Sequence, residues 1–456
     1  MGSLFSAIRT AASSLAVISQ GLQVTENNVA NANAPGYARQ SLNVESLPFD
    51  VTVGLPGGVV ANGTQSSRDP YAEQAVRTQQ SATGLATQQA NDLGAVEPYF
   101  SLTSDSSISS TLSGLFNSFS SLSITPNDAT ARQTVIDAAG QLANAFNQTA
   151  NGLQTQSATI SQETSGTVTN INSLASDIAR LTTVGATSGA PGTQDAGVDA
   201  QLNSDLEQLS QFAQVTVLQQ PNGSLNVYLN GNTPLVLGDQ AAPISANILS
   251  GSTQILDATG RDITSDFTSG QLAGELQSEN TTIPGYLSQL NTLAQSVADQ
   301  VNTALSNGVD TTGAAPVQNL FSYDASIGAA QTLSVTSITP DQIAAATPGA
   351  PGGNGNALAL ASLAQAPAVG GATFSQAYSN LAANVGQDIS NAKTAQSTSQ
   401  DLLTQAQSVR SQVSGVSLDQ EAANLIQTQS AYEATSKIIN VVDQILESLI
   451  AVFPTS

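Results

Sequence analysis

The chain has 456 residues, 40 % of them hydrophobic and only 9 % charged, and its formal net charge is −23. It contains no Cys, His or Trp, which removes disulfides and thiolate chemistry, the commonest general base and the commonest transition-metal ligand. Ten basic residues against 33 acidic ones leave no basic patch to hold phosphates or anionic lipid, which speaks against nucleic acid and against a membrane surface as partners.

The length suffices for two or three domains. The charged fraction lies far below the roughly 25 % of an ordinary soluble protein, and Ser, Thr, Gln and Asn carry the solubility instead. Such a surface suits dense packing against copies of itself. The acidity is uneven. From Leu181 to Ala392 fifteen Asp and Glu face one basic residue, Arg261, whereas the first 45 residues are neutral, with Arg9 and Arg39 against Glu26 and Glu45. The most apolar stretch, Ile438 to Phe453, is interrupted by Asn440, Asp443, Gln444 and Glu447, so no membrane insertion is expected. The N-terminus lacks the basic start and long apolar run of a signal peptide, so any export needs another route.

The first segment reads as one helix. Leu4, Ile8, Ala11, Leu15, Ile18, Leu22, Thr25 and Val29 alternate steps of four and three, a heptad seam kept for about four heptads. An isolated helix of this kind is marginal in water and needs a partner surface. That partner is either a globular core or a seam between molecules. Asn27, Asn28 and Asn31 then lead to Pro35-Gly36-Tyr37, where Pro35 expels Ala34 from the helical region. Pro35-Gly36 suits the centre of a type II turn, and Tyr37 to Val44 can run extended.

Asp69-Pro70 opens a helix over about Tyr71 to Thr87. Val168, Ile171, Leu174, Ile178 and Leu181 form one helical stripe; Leu290, Ala294, Val297, Val301 and Leu305 form another, just after Pro284. Between them, residues 213–268 are different. Val215 and Val217, then Leu225, Val227 and Leu229, alternate around Pro221-Asn222-Gly223, a hairpin signature. Residues 306–356, rich in Gly, Pro, Ala and Thr, hold two short strands around Leu320 to Tyr323 and Leu333 to Ile338. A helix with Leu402, Ala406, Val409 and Val413 stops at Gly415. The last segment mirrors the first, with Leu418, Leu425, Tyr432, Ile439, Leu446 and Phe453 on a spacing of seven, widened by Ile438, Val442, Ile445, Leu449 and Val452.

Weaker signals point to no chemistry. Gly352-Gly353-Asn354-Gly355 lacks the Lys-Ser/Thr of a phosphate loop and reads as a linker. Asp257, Asp262 and Asp266 lack EF-hand spacing and read as a solvated loop. Asp205 and Glu207 could pair as catalytic carboxylates, but surface acidity accounts for them. No cofactor and no metal are expected, and no enzymatic activity.

Asn27-Asn28-Val29-Ala30-Asn31 through Pro35-Gly36-Tyr37, behind a heptad helix, resembles the N-terminal signature of the bacterial flagellar axial proteins of rod, hook and hook–filament junction. Val416 to Leu425, followed by Gln429-Ser430-Ala431-Tyr432, resembles their C-terminal signature. Arg68-Asp69-Pro70-Tyr71 with Val76-Arg77-Thr78-Gln79-Gln80, and Gly270-Gln271-Leu272 with Ile283-Pro284-Gly285-Tyr286, are similar to the hook-associated protein 1 family within that group. The resemblance covers roughly residues 1–305 and 355–456. It departs at 306–356, where about fifty loop-rich residues replace a sizeable outer domain of better-known members.

The resemblance implies a structural subunit of the flagellum at the hook–filament junction, partnered by the hook protein, the second junction protein and copies of itself in a helical ring. It also implies a cytoplasmic chaperone, export through the flagellar type III apparatus and an extracellular location. The expected fold is mainly α with a smaller β part, discontinuous and multidomain. Residues 1–50 with 415–456 form a terminal domain of paired, coiled-coil-like helices. Residues 51–212 with 269–414 form a helical middle, with 306–356 a reduced outer insert, and 213–268 form a small β-containing part. The assembly surface is expected on Leu4, Ile8, Leu15, Ile18, Leu22, Val29, Leu418, Leu425, Tyr432, Ile439, Val442, Leu446, Leu449 and Phe453, beside the motif Asn27, Asn28, Asn31, Pro35, Gly36 and Tyr37. Two alternatives stand: another axial protein of hook or distal rod, against which the long helical region before residue 212 argues, and a secreted carboxylate-dependent hydrolase, which needs a buried Asp/Glu pair in a cleft.

Overall fold

The structure, a computed structural model, describes residues 2–50, 55–56, 58–187, 195–220, 224–249 and 251–452. Helices dominate: α1 (Gly2–Ala30), α2 (Pro70–Val96), α3 (Ile108–Ile124), α4 (Ala129–Thr187), α5 (Ala196–Phe212), α6 (Gln271–Gln277), α7 (Ile283–Ser306), α8 (Ala329–Thr332), α9 (Gly355–Ser362), α10 (Phe374–Ser414) and α11 (Leu418–Val452). The strands are short: β1 (Gln40–Ser46), β2 (Phe49–Asp50), β3 (Leu55–Pro56), β4 (Val59–Ser66), β5 (Val215–Gln219), β6 (Leu225–Leu229), β7 (Thr233–Leu237), β8 (Gln240–Ala241), β9 (Ser245–Leu249), β10 (Ser252–Leu256), β11 (Phe321–Ser322) and β12 (Ser334–Val335). Mainly α with a smaller β part is therefore the architecture. β5 to β8 form an antiparallel meander, and the other strands pair two by two, β1 with β4, β2 with β3, β9 with β10 and β11 with β12. The turn at 221–223, expected to close the β5–β6 hairpin, lies outside the described residues.

Local chemistry sets the element ends. Asp69 caps α2, its carboxylate accepting from Tyr71 N and Ala72 N, with Pro70 at the first helical position, where its missing N–H costs nothing. Thr373 and Gln376 form a reciprocal capping box on α10. Helix α2 runs nine residues beyond the predicted Thr87, and the strand expected from Tyr37 begins at Gln40.

Two apolar cores share one helix. α4 has 59 residues, about 88 Å at 1.5 Å per residue. Its first half, Val135, Leu142, Phe146, Leu153 and Ile160, packs with α3, α7, α10 and the C-terminal end of α2. Its second half, Val168, Ile171, Ala175 and Ile178, packs with α5, α6 and the inner faces of β5–β7. The β-containing part thus has no core of its own; it is completed by helices on either side of it in the sequence.

Residues 306–356, read from composition as loop-rich, contribute Leu320, Phe321, Leu333, Ile343 and Ala344 to the first core. Arg132 pins this segment. Its buried guanidinium donates to the carbonyls of Pro126, Pro340 and Ile343, and burial lowers its pKa, opposed by Asp341 and Asp310. The polar carbonyls of an irregular segment are thereby satisfied without water.

Candidate assembly interface

The terminal helices meet in one antiparallel pair. Arg39 N donates to Ser414 O, so α1 ends where α11 begins, and the two run back along each other. Gly21 faces Thr428, whose methyl would lie 3.9 Å from a Cβ placed there. On α1, Ala11 and Thr25 are buried in the pair and Leu4, Ile8, Leu15, Ile18 and Leu22 are half-buried. On α11, Glu421 and Val442 are buried and Leu425, Thr428, Thr435, Ile439 and Leu446 half-buried. Val29, Leu418 and Tyr432 stay exposed. Leu449 lies within α11, and Phe453 falls outside the described residues. The half-buried seam residues thus lie on helices that pack on one another within the same chain, and this packing leaves them half open.

A second stripe is left open among the described residues. Phe5, Ile426, Ile438, Val441 and Ile445 are 42–65 % exposed. Leu402, Val409 and Val413 on α10 are exposed as well, because that helix turns Leu403 and Ser399 inward instead. These exposed large aliphatic side chains form a row on the terminal helices and the end of α10.

The Asn-rich turn fixes how the pair joins the middle of the molecule. Asn28 is buried and acts as a strand partner: its Nδ2 donates to Gln40 O at 2.8 Å and its Oδ1 accepts from Gln40 N at 2.8 Å and from the Tyr37 hydroxyl at 2.9 Å. Burial, with the nearby Glu421 carboxylate, raises the Tyr37 pKa. Asn31 Nδ2 donates to Asn27 O at 3.0 Å, beside the Asn31 N–H that bonds the same carbonyl at the end of α1. Tyr37 N donates to Ala34 O and Gly36 has φ 71°, the geometry of the expected type II turn. A Cβ on Gly36 would lie 2.3 Å from Ala200 O, so the position admits glycine alone.

Four of the ten basic residues converge beside this turn. Arg68 donates to Gly36 O at 2.6 Å and pairs with Glu73 at 2.7 Å and Asp199 at 2.8 Å. Arg410 pairs with Glu207 at 2.6 Å and Glu73 at 3.4 Å. Burial acts to lower the Arg410 pKa, but Glu207 and Glu73 outweigh it and raise the value. Arg77 is buried alongside, its pKa lowered by burial and only partly restored by Glu73. Arg39 pairs with Glu421 at 3.7 Å. Asp69 N donates to Ser414 Oγ. This ionic knot ties the segment after α1 to α2, α5, α10 and α11, and sequence reasoning missed it. Its one signal was the concentration of scarce charges around Arg68-Asp69-Pro70. The carboxylates Asp205 and Glu207, read as surface acidity, are corrected here: Asp205 is buried, with Gln201 donating to it at 2.7 Å, and Glu207 belongs to the knot.

Asp257 and Asp262 sit in turns, Asp257 accepting from the Thr259 hydroxyl, Thr259 N and Arg261 N and Asp262 from the Thr264 hydroxyl and Thr264 N, and those donors hold both pKa values below the usual carboxylate range. Among the described residues no group of three or more acidic side chains is arranged to hold a metal, and no helix is long and apolar enough to cross a membrane.

The chain was compared with known proteins. Residues 93–321, half of the chain, match the model of the flagellar hook-associated protein FlgK helical domain, and residues 410–452 match that of the flagellar basal body rod FlgEFG protein C-terminal region. Flagellar hook-associated protein 1 of Bacillus subtilis (strain 168) is 27 % identical over 501 aligned positions, covering 99 % of this chain and 98 % of the relative. Its counterpart in Escherichia coli (strain K12) is 24 % identical, covering 98 % and 99 %. The solved flagellar hook junction protein FlgK of Burkholderia pseudomallei superposes with a TM-score of 0.68 at 16 % identity, covering 75 % of this chain and 100 % of that one, a likeness of fold. With its helical middle matched over half the chain and its relatives aligned end to end, this chain belongs to the flagellar hook-associated protein FlgK family.

Proposed function

We propose that this chain is a structural subunit of the bacterial flagellum that stands between hook and filament and assembles through its paired terminal helices. The observation that carries the reading is the unfinished seam. Leu4, Ile8, Leu15, Leu425, Ile439 and Leu446 are only half-buried by the pair, and Phe5, Ile426, Ile438, Val441 and Ile445 stand open beside them. Burying large aliphatic side chains is worth about 1.5–3 kcal/mol each, so further helices packed on this face gain far more than the pair gains alone. In this reading residues 1–50 with 415–456 are the assembling domain, and the remainder, held to it by the Arg68 knot, is the outer body.

The hook protein lies on one side of the ring, the second junction protein on the other, and copies of this chain beside it. A cytoplasmic chaperone covers the same apolar stripes before export through the flagellar type III apparatus, which places the subunit outside the cell. No catalytic role is proposed. The hydrolase alternative asks for a buried Asp/Glu pair that substrate can reach through a cleft, and Asp92 and Glu275, though buried, are sealed from solvent at 2 % and 0 % exposure.

Cells carrying Ile438→Asp with Val441→Asp test the reading. We expect bare hooks and filament subunits shed into the medium, while the purified variant keeps the circular dichroism of the parent. Normal filaments on those cells would refute the proposed face.

A further inference from the structure

Between the two cores lies a polar layer. On α4 the run of buried apolar residues stops at Ile160 and resumes at Val168, and the inward positions between are Ser161, Thr164 and Thr167. Opposite them stand three buried carboxyl groups, Asp92 on α2, Glu275 on α6 and Glu279, at 2 %, 0 % and 1 % exposure. The helix bearing Glu275 continues into a π-helical turn, Ser278–Thr282, which seats Glu279 and Asn280 in the same layer. Asn280 clamps β10 there, donating to Thr253 O at 2.9 Å and accepting from Thr253 N at 2.8 Å.

The layer is incompletely satisfied. Glu275 Oε1 accepts from Thr167 at 2.8 Å and Gln271 at 2.9 Å. Glu279 Oε1 accepts from Thr253 at 2.9 Å and from Ser161. Asp92 Oδ1 accepts from Gln88 at 2.7 Å. Yet Oε2 of Glu275, Oε2 of Glu279 and the Thr164 hydroxyl are buried with no hydrogen-bond partner among the described residues. Nor does a cation answer them. The charged groups acting on Asp92 and Glu275 are other carboxylates, Glu163 on both and Asp92 on Glu275. The basic residues of the neighbouring elements are engaged elsewhere. Lys393 on α10 pairs with Glu97, Arg410 with Glu73 and Glu207, and Arg180 with Asp177. Arg77 on α2 sits with Glu73, Asp205 on α5 with Asp177 and Arg180, and on α7 Asp299 accepts from Tyr323. β9 and β10 carry no titratable group. A buried carboxyl without a cation is far cheaper to keep neutral than charged.

We propose that this layer is a proton-linked joint: Asp92 and Glu275 hold protons while the two cores sit flush, and give them to solvent when the layer opens to water. Burial, the largest cause, raises Asp92 from 3.8 to about 6, against Ser278 and Gln88, which favour its charge. It raises Glu275 from 4.5 to about 7 against Gln271 and Thr167. The closed state therefore binds more protons than the open chain between about pH 4 and 7, and stability falls as pH rises through that window. An ordinary ion-paired carboxylate behaves in the opposite way. The chain has no His, so the side chain that most often exchanges protons between pH 5 and 8 does not obscure these carboxyls.

The test uses the purified full chain. Denaturant midpoints at pH 5.5, 7 and 8.5 are expected to fall with rising pH. Glu275→Gln, which keeps the shape and removes the charge, is expected to raise the midpoint at pH 8.5 and remove at least half of the pH dependence. Hydrogen exchange, corrected for its intrinsic pH dependence, should lose more protection over 161–167 and 271–282 than over α3 across the same range. A midpoint that rises with pH, a Glu275→Gln slope equal to the parent's, or a uniform loss of protection overturns the proposal. Should the variant fail to fold, unfolding the parent at pH 6 in weak buffer still decides. Proton release supports the joint, and uptake or no exchange overturns it.

Discussion

Helices α7 and α11 carry apolar stripes of the same kind in the sequence, and the structure treats them differently. Leu290, Ala294, Val297, Val301 and Leu305 on α7 are sealed in the first core, none more than 1 % exposed. On α11 the stripe through Leu425, Ile439 and Leu446 is half-buried, and Ile438, Val441 and Ile445 are open. Periodicity reports that a face will be covered. It does not report what covers it. The closed helix serves the stability of the single chain, and the open one has apolar area left for neighbours.

Breaking the closed side has the largest expected effect. Val297→Asp places an uncompensated charge where Val297 is wholly buried, a change at the top of the single-substitution range, above about 4 kcal/mol. It should abolish the cooperative unfolding transition seen by circular dichroism. Next comes the tie between the two regions. Arg68→Ala leaves Glu73 and Asp199 facing each other with residual exposures of 6 % and 14 % and strips Gly36 O of its donor. A loss of about 2–3 kcal/mol is expected, discounted from the fully buried range for that exposure. Limited proteolysis should then cut near residue 36 before it cuts α3. The smallest effect belongs to the open side. Leu425→Ala should cost the isolated chain only about 1 kcal/mol, less than the 2–5 kcal/mol of a sealed leucine such as Leu290, while lowering ring assembly clearly. Equal costs for Leu425→Ala and Leu290→Ala in denaturant titrations would erase the distinction between the two helices.

Much of the architecture was legible because single elements follow local rules. The Asp69-Pro70 start, the Pro35-Gly36 turn, the seam of α1, the stripe of α7 and the strand pair β11–β12 all rest on residues close in sequence. The rest required partners far away. The α4 stripe at Val168–Leu181 looked like a short helix because the same helix faces a different core upstream and changes from apolar to hydroxyl side chains at Ser161–Thr167. The helix carrying Leu402, Val409 and Val413 was legible, but that these three are exposed was not, since α10 turns Leu403 and Ser399 inward toward α2 instead. Residues 306–356 looked like a loop by composition, yet small Ala residues let the chain run flat against α4 and α7, where Leu320, Phe321 and Ile343 fill the core. At the terminal helices the pairing of the two ends of the chain was expected from their matching heptads, but how much of each stripe the pair leaves open was not. The Arg68–Asp199 and Glu73–Arg410 pairs span 131 and 337 residues, beyond any spacing rule.

The continuity of α4 has a mechanical consequence. Because one unbroken helix threads both cores, neither half can drift away when the polar layer between them loosens. The permitted motion is a swing about the α4 axis or a flexure of it at mid-length. With each arm about 44 Å long, a bend of about 5° carries an end by roughly 4 Å. The part of the molecule built on α4 is in that sense a sprung lever, and in the ring proposed above many such levers side by side would let the assembly change its curvature without any subunit letting go of its neighbours.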